Sequence, residues 1–480
     1  MQEEKNRGKT EYIVYIAVIF IICLIPFAGM LWHPTTQAIG NGTLTPAPAL
    51  TREDGSFNTE VLSDLQDYIN DHFAYRPELV SANAILKGKV FSLSSVDSVI
   101  YGKNDTLYYE ATLDDFQHRD PSSERMLFNI AHNVALMQEY TELLGKKFVF
   151  TIAPNKNSLY GENMPGRYQI TVNEESDAGR LGPYLEAEGV NYVDLFALFG
   201  QQEENLYCLR DSHWNNKGAV LVYNTLLDRA GISHARYDDV QPEIVAYSGD
   251  LNQMLYPVWG ETEPDYLYLR EEDKTYSFTE EDITAESNLA VTFNPEGTGN
   301  LLMYRDSFGN TLLPYFAQHY ENAAFSKVVP YPMTDLVTYA PDTVIVEKVE
   351  RHLQTLGTVP PVMSAPVRVL PEDAVYTEAA ENGSSFLETS VNGSYLQLTG
   401  AVDESLLTTG SRIYAEVTDS AANQNVYEAF DIKITSGTST DYGFLLYLPM
   451  LNIEGNGIYV RILGETQEGW CVLWEGTAVF

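Results

Sequence analysis

Two rhythms divide this chain, and the change between them constrains its fold more than any other feature. From about residue 97 to 358, short apolar runs alternate with segments of helical periodicity. Phe148 to Ala153, Tyr192 to Leu195, Leu301 to Tyr304, Phe325 to Val329 and Thr343 to Val346 have the length and composition of buried strands. Between them, Leu127, Ile130, Val134 and Met137 mark one face of a helix expected to open at Asp120-Pro121 and to end near Gly145. Further helices are expected near 174–188 and over Lys217 to Ala230, while Pro154 to Asn157 reads as a loop. Such alternation predicts a mainly parallel sheet with helices on both faces, and loops that carry chemistry gather at the carboxyl ends of its strands. Residues 236–298 interrupt the rhythm with an acidic, aromatic-rich stretch, expected as an insertion beside the site. Pro360, Pro361, Pro366 and Pro371 then mark a linker. Beyond it come seven short β-type runs: Ser385–Ser390, Tyr395–Thr399, Arg412–Val417, Tyr427–Ile434, Phe444–Leu448, Ile458–Leu463 and Trp470–Trp474. With Asn392-Gly393 as a hairpin turn, they predict a β-sandwich.

Ahead of both rhythms lies Tyr12 to Trp32, 21 uncharged and strongly apolar residues, long enough as a helix to span a bilayer. Lys5, Arg7 and Lys9 precede it and favour a cytoplasmic N-terminus with the remainder exported. A cleaved signal peptide is the rival, but the run exceeds a typical signal core and no small-x-small cleavage site follows it. The expected organisation is a cytoplasmic tail at 1–11, a transmembrane anchor at 12–32 and a stalk at 33–56. An α/β domain at 57–358, helical over its first stretch 57–90, a linker at 359–380 and a β-sandwich at 381–480 complete it. The tail carries three basic and three acidic side chains, so the net charge of −38 belongs to the exported part. So acidic a surface repels nucleic acids and other polyanions and suits neutral or amino-bearing material, although solubility alone explains it equally well. The three cysteines, Cys23, Cys208 and Cys471, leave at most one pair outside the apolar run. No metal-ligand spacing and no phosphate-binding glycine loop occurs, so neither metal nor cofactor is expected.

The residues with a chemical pattern are Asp211 and His213, in Arg210-Asp211-Ser212-His213-Trp214, and Ser307, in Arg305-Asp306-Ser307-Phe308-Gly309. Serine becomes a nucleophile at neutral pH only when a base takes its proton, histidine suits that task, and a carboxylate fixes the imidazole's tautomer. Ser307 follows a strand-like run and precedes a helix, where backbone amides favour an oxyanion. The bland alternative is that Asp211 and Ser307 merely cap helices. His72 is a weaker competitor, and His319 and His352 read as ordinary helix positions.

Wider motifs surround these residues. Tyr207-x-x-Arg210-Asp211-x-His213-Trp214-x-x-x-Gly218-Ala219, then Arg305-Asp306-Ser307-Phe308-x-Asn310 and Pro314-Tyr315-Phe316, resemble the DHHW family of bacterial surface proteins. That family is similar in turn to the SGNH-like acetyltransferases of alginate acetylation, of the AlgX and AlgJ type. Asp71-His72-Phe73-x-x-Arg76, Pro154-Asn155-Lys156-x-x-x-Tyr160, and Pro341-Asp342-x-Val344 to Glu347-x-x-Glu350-Arg351 support the resemblance, which runs from about residue 57 to 355. It implies an SGNH-hydrolase-like three-layer α/β domain with Ser307 as nucleophile, His213 as base and Asp211 as its orienting partner. Their order, Asp, His, Ser, matches the acetyltransferase branch. Ser212 replaces the first histidine of the family's name, and Arg305 stands where a Gly-Asp-Ser block has glycine. Asn155, Lys156, Arg305 and Asn310 are the candidates for oxyanion or substrate binding, with Lys156 open to a structural role. Trp214 is expected to pack beneath the site.

The resemblance thus implies a membrane-anchored O-acetyltransferase, single-pass in a bacterial plasma membrane with its catalytic domain outside. It would modify a cell-surface or exported polysaccharide, with a membrane-bound O-acyltransferase of the MBOAT type supplying acyl groups. A carbohydrate acetylesterase uses the same triad. A non-catalytic glycan-binding or assembly protein is the alternative from another class, with Trp470, Trp474 and Tyr447 as sugar platforms unless they fill the sandwich core.

Overall fold

Alternate residues of each central strand serve two different cores. Phe148, Phe150, Ile152, Leu302, Tyr304, Val344 and Val346 pack on one face, against the helices Glu124–Leu143 and Asp177–Ala187. Val149, Leu301, Met303, Phe325 and Ile345 pack on the other, against Asn216–Arg229 and Gly309–His319. A strand's side chains point alternately to opposite faces, so these near-continuous apolar runs are what a sheet covered on both sides requires. Each fully buried large apolar side chain contributes about 1.5–3 kcal/mol relative to exposure, which fixes the register.

The computed structural model describes residues 2–36, 43–52, 54–370, 376–378, 385–435, 439–466 and 469–480. Residues 37–42 and 53 of the expected stalk, 371–375 and 379–380 of the expected linker, and 381–384 of the expected sandwich lie outside them. The side chains of Lys5, Arg7 and Lys9 in the expected cytoplasmic tail, and its Met1, lie outside them too.

The central sheet runs Tyr192–Val193, Lys147–Ala153, Thr343–Val349, Asn300–Tyr304, Asn322–Ser326, Leu289–Phe293 and Ser277–Phe278. Its first four pairings are parallel. The last two strands pair antiparallel, so the stretch 236–298 extends the sheet as well as reaching the site. This is the three-layer, mainly parallel arrangement that the alternation predicts, and Ser307 follows the carboxyl end of a central strand.

Local boundaries shift where capping chemistry decides them. The helix expected to open at Asp120 begins at Glu124 instead. Asp120 holds the left-handed φ of 45°, whereas Ser123 is extended and its Oγ accepts the Met126 N–H at 3.0 Å. The segment read as a loop after Pro154 turns helical at Lys156–Tyr160. The pattern over 57–90 is two helices, Val61–His72 and Arg76–Phe91, with Tyr75 left-handed at the elbow.

That elbow meets the end of the N-terminal helix Gln2–Gly29: the Ala74 N–H donates to the Pro26 carbonyl at 3.1 Å. Tyr12–Gly29 has a mean hydropathy of 2.6 and no buried residue, long and apolar enough by length and composition to cross a membrane.

The C-terminal strands form two sheets. One orders Val367–Arg368, Gln424–Glu428, Ile413–Asp419, Gly457–Thr466, Gly469–Val479 and Tyr376–Glu378; the other Phe386–Asn392, Tyr395–Ala401, Thr440–Pro449 and Phe430–Ile434. Leu396, Leu398, Phe444 and Leu446 of the smaller sheet face Ile413, Val417, Val460 and Ile462 of the larger. The run Tyr427–Ile434 is not one strand. It crosses from one sheet to the other at the buried Ala429, where a small residue lets the chain turn the sandwich's corner. The smaller sheet docks on the α/β layers, with Phe430 and Ile432 in the core under Glu124–Leu143 and Arg125 paired to Asp431 at 2.5 Å. Tyr447 is buried in that core, Trp474 packs on the sandwich interior and Trp470 against Tyr414, so the three aromatics serve packing. Cys208 and Cys471 are buried and unpaired.

Candidate active site

The loop that carries Asp211 and His213 is held by two buried charges of opposite sign. Glu263 accepts the backbone N–H groups of Leu209 and Arg210 at 2.6 and 2.7 Å. Lys156 Nζ donates to the carbonyls of Leu107, Leu209 and Asp211 at 2.6, 2.8 and 2.8 Å. Amides and carbonyls claimed in this way hold the loop in place, because freeing a buried polar group costs about 1–3 kcal/mol. The loop closes on itself through Cys208 N–H to the His213 carbonyl at 3.2 Å. It then enters the helix Asn216–Arg229, with Asn215 Oδ1 capping Gly218 N–H at 3.1 Å. Gly218 is required there: a Cβ would stand 2.7 Å from the Leu206 carbonyl oxygen.

Ser307 is placed by the strand Asn300–Tyr304 and the helix Gly309–His319. Between them, Asp306 pins the turn, its two oxygens accepting Phe308 N–H at 3.0 Å and Val349 N–H at 2.6 Å. Asp306 N–H donates to the buried Glu347 at 3.1 Å. Burial, with Asp306 beside it, pushes the Glu347 carboxyl well above its ordinary range. Phe308 is fully buried against His213 and Trp214, with ring centroids at 4.7 and 4.8 Å. Trp214, 2% exposed, lies beneath the site as expected of a packing residue.

The two segments meet in a continuous relay. His213 Nδ1 lies 2.7 Å from Asp211 Oδ1, and His213 Nε2 lies 2.8 Å from Ser307 Oγ. Asp211 Oδ2 accepts Tyr247 OH at 2.7 Å and Asp250 N–H at 2.8 Å. With only donors around it, the carboxylate is the form the site holds. Burial opposes its charge, but the His213 hydrogen bond and charge and the contacts from Asp250 and Tyr247 outweigh that and hold its pKa below the ordinary value. Burial likewise lowers the His213 pKa, and the bond to Asp211, its charge and that of Asp250 overcome this, leaving the imidazole a stronger base than usual. The tautomer with a proton on Nδ1 faces Asp211 and leaves Nε2 to accept from Ser307.

Residues 99–294 match the family model described as SGNH hydrolase-like domain, acetyltransferase AlgX. The matched stretch, less than half of the chain, contains Asp211 and His213 and ends before Ser307. Among solved structures, Bacillus cereus PatB1 is 14% identical with a TM-score of 0.41, over 52% of this chain and 95% of that one. The O-acetyltransferase domain of Pseudomonas putida AlgJ is 17% identical with a TM-score of 0.34, over 54% and 92%. A DHHW family protein from Eubacterium siraeum is 13% identical with a TM-score of 0.36, over 53% and 94%. A comparison with curated proteins finds no match.

Within this SGNH hydrolase-like frame, the other candidates divide by what they touch. All three donors of Lys156 are spent on backbone carbonyls, and burial pushes its pKa down to about 8, so it braces the loop and offers nothing to a substrate. Arg305 is likewise corrected to a brace: 2% exposed, it donates to the carbonyls of Ala285 and Ser287 at 2.8 and 3.3 Å and to the Asn310 side-chain oxygen. Asn310 is thereby held by Arg305. Asn155 is fully buried, its Nδ2 donating to Asp115 at 2.7 Å and its N–H to Glu350 at 2.8 Å, so its amide does not reach for an oxyanion. His72 stacks on Tyr68 and takes no part.

Three participants had no assigned role in the sequence. Tyr247 and Asp250 come from the acidic, aromatic stretch, and Gly249 between them lies so close that a Cβ would stand 2.7 Å from the Asp211 Cβ. Arg351, half-buried, sets its guanidinium 5.9 Å from the Phe308 ring and 5.6 Å from that of Tyr109, near enough that its charge opposes protonation of His213. Asp211, His213 and Asp250 bring ligand-type atoms within 4.8 Å of one another. The oxygens of Asp250 are already committed to Ser212 N–H, Ser212 Oγ and Leu251 N–H, which suits a hydrogen-bonded relay better than a cation cage.

Proposed function

We propose that this chain is a membrane-anchored, extracytoplasmic O-acetyltransferase that modifies a cell-surface or exported polysaccharide through an acyl-serine. The relay from Asp211 through His213 to Ser307, with contacts of 2.7 and 2.8 Å, carries the reading. The match of residues 99–294 to an acetyltransferase model supports the reaction class.

In this reading His213 Nε2 takes the Ser307 hydroxyl proton as Oγ attacks the donor's acyl carbonyl. The tetrahedral oxyanion forms at the amino end of the helix Gly309–His319, where the helix dipole favours negative charge. Its collapse expels the donor's leaving group, which receives the proton from His213 and leaves an ester on Ser307. A sugar hydroxyl then gives its proton to His213 and attacks that ester, and the departing Ser307 Oγ recovers the proton. Asp211 stays ionised throughout and stabilises the imidazolium of each half-reaction. The N-terminal apolar helix serves as a single-pass anchor in a bacterial plasma membrane, and an integral-membrane acyltransferase of the MBOAT type supplies the acyl groups.

The test supplies the purified protein with an acetyl donor, with and without an oligosaccharide acceptor, and weighs the products. Acetylated oligosaccharide that disappears in Ser307→Ala supports the proposal. Free acetate alone, with and without acceptor, makes the chain an esterase. Turnover that persists in Ser307→Ala refutes the acyl-serine.

A further inference from the structure

Beside the Asp211 loop lies a cleft of about 240 Å³ that the chemistry above leaves unused. Three aromatic rings line it: Tyr101 from the hairpin Val99–Tyr101 and Leu107–Tyr109, and Tyr256 and Trp259 from the segment after the short helix Asp250–Leu255. Trp259 is 52% exposed, so the core does not account for it. A solvent-facing indole at the rim of a concave, aromatic-lined site is a recurrent mark of ligand contact.

The polar groups of the cleft balance. Arg210 pairs with Glu261 at 2.8 Å and approaches Asp105 at 3.8 Å, and Lys89 pairs with Glu261 at 3.2 Å. Two cations meet two carboxylates, so no charge is left over to hold an anion. Each carboxylate oxygen can still accept from a hydroxyl, and each cation can donate to one. Asn252, fully buried, backs the cleft, and its Nδ2 donates to Ser248 Oγ at 3.0 Å. Aromatic faces for C–H surfaces, with charge-balanced acceptors and donors around them, suit an uncharged sugar ring. The net charge of −38 further disfavours a uronate polymer.

The cleft is one piece with the relay. Arg210 precedes Asp211, Asn252 N–H donates to the Arg210 carbonyl at 3.0 Å, and Leu107 N–H donates to the Leu209 carbonyl at 2.8 Å. We infer that this cleft is a subsite for a neutral pyranose residue of the glycan acceptor. The word acceptor rests on the acetyltransferase reading; the binding of a neutral sugar does not.

The experiment therefore uses the full chain in detergent with Ser307→Ala in every arm, so that no result depends on an acyl-serine. It titrates gluco-, manno- and galacto-hexasaccharides and a mannuronate hexasaccharide by calorimetry. At least one neutral oligomer binds and the mannuronate does not. Adding Trp259→Ala weakens that binding about tenfold, and Trp259→Phe restores most of it. Trp259 is exposed, so its removal leaves the thermal midpoint unchanged, which a melting curve checks. Failure of all three neutral oligomers to bind, binding indifferent to Trp259→Ala, or a preference for mannuronate overturns the inference.

Discussion

Replacing Asp211 by asparagine keeps the shape of the side chain and reverses half of its hydrogen bonding. The carboxylate accepts four donors: His213 Nδ1–H at 2.7 Å and His213 N–H at 2.9 Å on Oδ1, Tyr247 OH at 2.7 Å and Asp250 N–H at 2.8 Å on Oδ2. Asparagine can accept on one side only. If its oxygen faces His213, its NH2 meets Tyr247, which can turn its hydroxyl, and Asp250 N–H, which cannot turn and loses its partner at about 1–3 kcal/mol. If its NH2 faces His213, the imidazole must present a bare Nδ1, the proton moves to Nε2, and Ser307 loses its base. Both arrangements also remove the charge that stabilises the imidazolium. A loss of kcat on the order of 10³–10⁴, about 4–5.5 kcal/mol in the barrier, is expected.

The pH profile gives a second readout with a definite sign. The base must be neutral to act, so the rate rises with pH through the His213 pKa, and because Asp211 holds that pKa up, the limb lies above about 6.5 in the unmodified protein. In Asp211→Asn the lowering by burial and by Arg351 remains, Asp250 alone stands against it at 3.8 Å, and the limb moves down. Hydrolysis of a chromogenic acetyl ester from pH 5 to 9 measures both quantities, with circular dichroism to check the fold. A rate within tenfold of the original, or a limb that stays in place, would refute the relay as described.

Tyr247→Phe removes one donor to Asp211 and should lower kcat roughly fivefold, about 1 kcal/mol, with little change in the KM for the ester in the same assay. Lys156→Met takes a donor from three carbonyls, of which only that of Leu209 is shown with a second donor, the Leu107 N–H, and should destabilise the protein by about 2–3 kcal/mol in urea unfolding. Arg125→Ala strands the buried Asp431 where the sandwich docks and should cost about 3–5 kcal/mol by the same measurement. Burial and Asp115 raise the Glu350 pKa from 4.5 to about 8, so the folded state binds the extra proton and stability falls as pH climbs between those values. Glu350→Gln should flatten that part of the unfolding profile.

Strand positions in the α/β part were legible because burial on both faces demands unbroken apolar runs, as in Phe148 to Ala153 and Leu301 to Tyr304. Helix starts were less so. Asp120-Pro121 and Ser123 both carry capping chemistry, and only the backbone angle of Asp120 settles between them. The crossing at Ala429 was hidden because Tyr427 to Ile434 alternates like a single strand, and nothing local records which sheet each half joins. Asp211, His213 and Ser307 stood out because two short motifs bring them together. Lys156 and Arg305 lie in motifs too, but a motif does not record whether a cation faces a ligand or three carbonyls.

What the motifs omit is the support that makes the site rigid. Asp211 and His213 are only two residues apart, yet their loop depends on Lys156 from a preceding strand–helix junction, and on Glu263 and Asp250 from the stretch that follows. Glu263 gathers amides and Lys156 gathers carbonyls, so each charge sits among the backbone dipoles that suit it. Neither group can be removed without freeing the loop, and neither touches Ser307. Variation in the 236–298 stretch therefore acts on the chemistry in two separable ways. Changes at Tyr247, Asp250 or Glu263 alter the base through Asp211 and shift the pH limb. Changes at Trp259 alter what is held beside it and leave that limb in place. A pH profile measured alongside glycan affinity distinguishes the two, which a loss of activity alone does not.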